Sequence, residues 1–270
     1  MTPSVSIIIS FYNKIDYLKL LLAGFSIQTY KDFEVIIADD GSSNPVVNEI
    51  ETIASNYSFS LIHLHQPDKG FRKNRILNKS ITAARGEYII FVDGDCVPHP
   101  KFVEEHYINS EINTALTGRR VNLSKNITAK LTPEKVQKGY LQKQMLSLVV
   151  DGLLGKSTDV EKGFYISNAG ISGRLNRKKR GLLGCNFSLH KKDLLEVNGF
   201  DERYESPSIG EDSDIQYRLE LLHKSIKSIN NLAVQYHLYH QLQPRPQANL
   251  DLFEQVKTEA IAFTNHGIKK

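Results

Sequence analysis

The sequence predicts an α/β protein built on a central, mostly parallel sheet, and three observations predict it. Short β-rich apolar runs alternate with helically spaced segments through the first hundred residues. The fully apolar run Tyr88 to Val92 delivers a carboxylate, Asp93, at its carboxyl end, where open α/β sheets hold their ligands. Clusters of turn formers and capping residues, such as "DDGSSNP" from Asp39, punctuate the runs.

Taken in order, Val5 to Ser10 is a first strand, and residues 14 to 27 follow as an amphipathic helix with Ile15, Leu18, Leu21, Leu22 and Phe25 on one face. Phe33 to Asp39 is a second strand, followed by a helix to about Asn56. Ser60 to His65 is a third strand, "QPDKG" its loop, and residues 74 to 84 a helix ending near Gly86. Tyr88 to Val92 is the fourth strand. Ser10, Tyr12, Asp39, Asp40 and Asp93 thus fall at one sheet edge before any motif is invoked.

From about residue 115 the alternation weakens. Residues 133 to 150 read as helix, 151 to 180 are rich in Gly, Ser and basic residues, and "GLLGCNFSLH" reads as a strand. Residues 211 to 224 return to helical spacing. "NLAVQYHLYH" reads as a strand, "QLQPRPQ" breaks it, and a last helix starts near Asn249. The length of 270 residues suits one large domain, and the 24% charged and 40% hydrophobic content is that of a globular chain. A net charge of +4 argues little for nucleic acid, and no such partner is expected. The two cysteines form no C-x-x-C pair, which points to a reducing cytoplasm. The N-terminus lacks a signal pattern, and no run reaches the ~20 apolar residues of a spanning helix.

Three acidic groups could carry chemistry. Asp93-Gly94-Asp95 places two carboxylates about a glycine that allows the chain to turn; hard oxygen ligands suit Mg²⁺ or Mn²⁺, although a polar turn would have the same spacing. Asp39 and Asp40 could accept hydrogen bonds from a base or a ribose, or could simply cap the next helix. Glu211, Asp212 and Asp214 open a helix whose dipole favours acidic groups, and one of them could deprotonate a sugar hydroxyl. His237 and His240, read as strand residues three apart, would lie on opposite faces, so at most one would point into a given site. Cys96 reads as core and His99 as surface. No dinucleotide fingerprint or P-loop is present.

In order, "VSIIISFYNK", "DFEVIIADDGS", "KGFRKNRILNKSI", "GEYIIFVDGDCVPHP", "GCNFSLHKKDLLEVNGFDERY", "GEDSDIQYRL" and "YHLYHQ" resemble the family 2 inverting glycosyltransferases of GT-A fold, a Rossmann-like nucleotide-diphospho-sugar transferase fold. The later segments are similar to the galactosyltransferase-type C-terminal segment of bacterial chondroitin polymerase modules. The resemblance implies one domain: residues 1–110 bind the nucleotide sugar, 111–245 the acceptor, and 246–270 form a C-terminal helix. It implies that Ser10 and Tyr12 border a uracil, with Asp39 on the base and Asp40 beside it. Gly70, Arg72 and Asn78 then lie near ribose and diphosphate. Asp93, Gly94 and Asp95 bind metal and sugar nucleotide, with His237 or its neighbour His240 as a further metal ligand.

Asp212 is then the base and Glu211 an acceptor contact. The reaction implied is Mn²⁺- or Mg²⁺-dependent transfer from a UDP-sugar to a saccharide or lipid-linked acceptor, in the synthesis of a bacterial surface polysaccharide or lipopolysaccharide. The absence of Trp, with "SPSIGED" where related chains carry Trp-Gly-Gly, leaves the acceptor open. The basic run Arg174 to Arg180 suits a solvated loop, or contact with the donor diphosphate or with an anionic lipid-linked acceptor at the cytoplasmic face of an anionic membrane. The competing readings are a sugar-1-phosphate nucleotidyltransferase, whose Gly-rich basic signature "SFYNK" lacks, and a sugar-nucleotide-binding protein without a catalytic base.

Overall fold

A computed structural model describes residues 2–207, 210–241 and 246–270, so part of the "SPSIGED" and "QLQPRPQ" segments lies outside the described residues. The first hundred residues form the expected alternation: β1 (Val5–Phe11), α1 (Ile15–Ser26), β2 (Phe33–Asp39), α2 (Asn44–Ala54), β3 (Ser60–His65), α3 (Lys73–Ala83) and β4 (Tyr88–Asp93). β2, β1 and β4 pair in parallel, with β3 parallel to β2 at the edge. Beyond β4 come β5 (Cys96–Pro98), α4 (Phe102–Ile108), β6 (Thr114–Thr117) and β7 (Arg119–Asn122), then short helices α5 (Lys125–Thr128), α6 (Pro133–Gln137), α7 (Tyr140–Lys143) and α8 (Met145–Leu153). A 3₁₀ turn (Val160–Gly163) and α9 (Ala169–Leu175) lead to β8 (Phe187–His190), α10 (Lys191–Glu196), α11 (Glu211–Leu221), β9 (Ser225–Ser228), β10 (Val234–His237) and α12 (Gln247–Glu259).

Among the described residues the main sheet runs β3-β2-β1-β4-β8-β6-β9, and a small sheet runs β5-β10-β7. Strand periodicity divides the main core. Val5, Ile7 and Ile9 of β1 pack with Leu18, Phe25, Ile50 and Phe102 on one face; Ile8, Ile36 and Ala38 meet Ile76, Ile81, Leu194, Ile215 and Leu219 on the other. Leu20 and Ala23 of α1 turn instead to Val97, Val121 and Tyr236, so this one helix joins the two sheets. Gly24 permits that approach, since a Cβ there would lie 2.7 Å from Pro98 Cδ.

Elements of the second half differ from expectation: the strand expected over 181–190 is confined to Phe187–His190, and that over 231–240 to Val234–His237. The 133–150 helix is broken into α6, α7 and α8, with Gly139 in the left-handed region (φ 71°). The C-terminal helix stops at Glu259, and the tail runs back to Asn198, whose carbonyl accepts Ile268 N–H at 2.9 Å. The weak periodicity after residue 115 has a plain cause: the later strands are four or fewer residues long, too short to display a period.

Candidate active site

Parallel pairing sets Ser10 of β1 opposite Asp93 of β4, and Ser10 Oγ donates to Asp93 Oδ1 at 2.6 Å. Gly94 is favoured here by close approach rather than by a turn in the left-handed region. Its N–H donates to Ser10 O at 2.8 Å, and a Cβ would stand 3.1 Å from that oxygen. Across the crevice, Glu211 and Asp212 open α11, and Lys73 opens α3. Lys73 Nζ donates to Asp93 Oδ1 at 2.9 Å and to Glu211 Oε1 at 2.5 Å. Burial favours the neutral amine, but the two carboxylates prevail and raise its pKa. Burial also lifts the Glu211 carboxyl to about 7, with Lys73 pulling the other way and the charges of Asp93 and Asp212 adding to the rise. Between these groups remains a cavity of about 10 Å³, lined in part by Ser10, Lys73, Gly184, Phe187 and Glu211.

Sequence reasoning missed Lys73. The available signal was its position: a cation at the first residue of a helix opposes the macrodipole and needs another reason to be there. Asp212 is differently placed. Its Oδ1 accepts Ser213 N–H at 2.7 Å and Ser213 Oγ–H at 3.3 Å, while its Oδ2 accepts only Gly184 N–H at 3.1 Å and keeps a spare lone pair.

The second carboxylate of the pair, Asp95, faces the end of β10. Asp95 Oδ2 lies 3.1 Å from His240 Nε2, and its Oδ1 lies 3.6 Å from His237 Nε2. The two ring nitrogens are themselves 3.1 Å apart. Opposite faces, the expectation for a continuous strand, is therefore corrected: β10 ends at His237, the chain leaves the pleat, and both rings reach one carboxylate. Despite the cost of burial, the hydrogen bond from His240 and the electrostatic pull of the histidine pair hold Asp95 well below the usual carboxylate range. Burial lowers His237 to about 4, leaving a neutral imidazole with a lone pair to donate. One hard oxygen donor and two imidazoles are a donor set that fits Mn²⁺. Cys96 Sγ is also near Asp95, but the thiol is fully buried and burial pushes its pKa up, so it packs as the sequence suggested. His99 is half-buried rather than surface, stacked on Tyr165 at 5.1 Å between ring centroids.

At the outer strands, Asp39 is fully buried. Its Oδ1 accepts Gly41 and Ser42 N–H at 3.2 and 2.8 Å, and its Oδ2 meets His63 Nε2 at 2.9 Å. Asp40 accepts Gln66 Nε2 at 2.6 Å and Arg72 N–H at 2.7 Å. These bonds brace an open pocket of about 520 Å³ lined by Asn13, Ser42, Ser43, His65, Pro67 and Asp68. Tyr12, half exposed, donates to Asp68 Oδ2 at 3.0 Å at its rim, and Gly70 N–H bonds the same carboxylate. Asn78 stands apart from this group: its amide clamps the backbone N–H and carbonyl of Phe200 at 2.8 Å each.

A mostly parallel sheet with an open pocket and paired carboxylates at its carboxyl edge defines this chain as a protein of GT-A fold. The fold is similar to that of S. aureus TarS residues 1–349 in complex with UDP-GlcNAc (TM-score 0.59, 16% identity, 95% of this chain and 66% of that one). It is also similar to the mannosyltransferase PcManGT from Pyrobaculum calidifontis in complex with GDP-Man and Mn²⁺ (TM-score 0.57, 14% identity, 89% and 58%).

The chain belongs to glycosyl transferase family 2, which it matches over residues 6–147; residues 170–241 match the family described as the N-terminal domain of galactosyltransferase. Chondroitin synthase of Escherichia coli is 27% identical over 256 residues, covering 92% of this chain and 36% of that protein. Cholesterol galactosyltransferase of Borreliella burgdorferi is 38% identical over 91 residues, 34% of this chain and 25% of that protein. The chain thus spans about a third or less of the length of these relatives.

Proposed function

We propose that this glycosyltransferase moves a sugar, with inversion, from a UDP-sugar to a hydroxyl of a saccharide or lipid-linked saccharide, in the synthesis of a bacterial surface polysaccharide or lipopolysaccharide. The observation that carries the reading is the meeting, at one sheet edge, of Asp93 with the Lys73–Glu211 pair and of Asp95 with both histidines. Residues 1–110 bind the donor, with Ser10, Tyr12, Asp39, Asp40, Gly70 and Arg72 around the nucleotide. Residues 111–245 receive the acceptor, and 246–270 close the unit.

Asp95, His237 and His240 would hold Mn²⁺, or Mg²⁺ in its place, with Asp93 beside them. When bound, the ion supplies positive charge to the leaving diphosphate. Asp212 takes the proton of the acceptor hydroxyl, since Glu211 is already held by Lys73. The acceptor oxygen then bonds to the anomeric carbon as the bond to the diphosphate oxygen breaks. The run Arg174 to Arg180 meets an anionic surface near the site mouth; the Arg180 charge acts on Arg119, which also feels Asp212.

A panel of UDP-sugars tests the proposal by thermal shift and by hydrolysis, each with and without Mn²⁺. One donor should raise the melting temperature and release UDP only with metal. Equal response to all donors, or to none, would overturn it.

A further inference from the structure

Among the described residues no helix is long and apolar enough to cross a membrane, yet one short helix turns an apolar face outward. On α8, Leu146, Val150, Leu153 and the capping residue Leu154 fall at i, i+4, i+7 and i+8, the spacing of a single helix face. They are 84%, 56%, 83% and 63% exposed. The opposite face is already spent. Leu148 is fully buried, Met145 Sδ lies 4.0 Å from Tyr236 Oη, and Gly152 lets the helix press on Val160, where a Cβ would come within 2.8 Å of Cγ2. The helix is therefore anchored by its inner face, its outer apolar face is exposed, and apolar patches of that kind mark contact surfaces.

Charge selects the occupant. Residues 125–156 contain six lysines, Lys125, Lys130, Lys135, Lys138, Lys143 and Lys156, against two acidic residues, Glu134 and Asp151. That net +4 equals the net charge of the whole chain, so the remaining residues balance to zero. All six lysines are exposed. Asp151 is turned inward onto Ser157 Oγ at 2.5 Å. Lys143 directly precedes the exposed strip and Lys156 directly follows it, so a two-fold contact with a second copy would bring this net-positive segment against itself, whereas an anionic bilayer offers hydrocarbon to the leucines and phosphates to the lysines.

We propose that α8 docks the enzyme onto the surface of an anionic membrane, with Leu146, Val150, Leu153 and Leu154 inserted at the headgroup boundary and the lysines that flank the helix, Lys143 and Lys156, on lipid phosphates. This site is distinct from the Arg174 to Arg180 run, and it does not depend on which donor or acceptor the enzyme uses. It lies one strand from the metal-binding candidates, because Tyr236 of β10, under α8, directly precedes His237.

The chain has no Trp, so Leu146→Trp places a single reporter on the proposed face. On vesicles of phosphatidylcholine with phosphatidylglycerol its emission should shift to the blue and be quenched by brominated acyl chains, with no change on phosphatidylcholine alone. The unlabelled protein should float with the same anionic vesicles, and Leu146→Gln/Leu153→Gln should reduce that partitioning about tenfold or more with an unchanged melting temperature. Charge-neutral substitution of Arg174, Arg177 and Arg180 should leave the Trp response in place. The proposal is overturned if the reporter stays solvent-exposed on anionic vesicles, or if the glutamine variant floats like the parent. It is also overturned if light scattering shows a dimer that the glutamine variant dissolves.

Discussion

Lys73 and Glu211, 138 positions apart in the chain, are joined by a 2.5 Å ion pair inside the cleft. The pair ties the start of α3 to the start of α11, across the proposed donor and acceptor halves. Breaking such a pair from one side leaves an uncompensated buried charge, which typically costs about 3–5 kcal/mol. Lys73→Met should therefore destabilise the protein by about 3 kcal/mol in urea denaturation. Lys73→Met/Glu211→Gln should recover only part of that loss, because Asp93 still lacks its cation. Equal stability of the single variant and the parent would deny the pair a structural role.

Metal dependence should reside in Asp95 and the two histidines rather than in one of them. Asp95→Ala should abolish the effect of Mn²⁺ on UDP binding by calorimetry. His237→Ala and His240→Ala should each weaken Mn²⁺ about tenfold or more, on the scale seen when groups supporting a metal site are removed. If one histidine variant binds Mn²⁺ as the parent does, that ring belongs to the hydrogen-bond network alone.

Asp212→Asn keeps the backbone contact with Gly184 possible but cannot take a proton. It should bind UDP-sugar normally and transfer about a hundredfold or more slowly, the usual contribution of a general base. Normal transfer by this variant would move the base to Glu211.

Acid should weaken the fold through buried neutral histidines. His106 is fully enclosed, its Nδ1 2.7 Å from Ser188 Oγ and its Nε2 3.0 Å from Asn186 Oδ1, and burial lowers its pKa to about 3. The unfolded chain takes up this proton below about pH 6.5 while the folded state refuses it until about pH 3, so stability present above 6.5 is lost as pH falls through that window. The slope is up to ~1.4 kcal/mol per pH unit for each such group. His99 and His237, both lowered to about 4 by burial, act in the same direction. Urea midpoints measured from about pH 7.5 to 5 should fall, and His106→Gln should flatten the fall by one proton's worth. An unchanged slope in that variant would show that His106 does not contribute.

Much of the first half could be read directly from the residues. The runs at Val5, Phe33, Ser60 and Tyr88 are long enough to show their periods, and each carboxylate that ends one is adjacent in sequence to the strand that carries it. The second half was less legible, because β6 to β10 are four residues each and take their places from pairing partners far along the chain. His237 and His240 show the limit. Two-residue alternation separates them, and only the departure of the chain from the strand after His237 brings both rings onto Asp95.

The sequence by itself determined the alternating architecture, the sheet edge at which Ser10, Asp39 and Asp93 gather, and, through its ordered motifs, the resemblance to family 2 glycosyltransferases. Tertiary structure alone decided that Lys73 bridges Asp93 and Glu211, that two histidines share one carboxylate, and that α8 leaves its leucines in solvent. The physical reason is range. Periodicity, capping and strand ends are local and are written in neighbouring residues. Which charges meet across a cleft, and which apolar face goes uncovered, depend on where distant elements cross, and no window of sequence contains both partners.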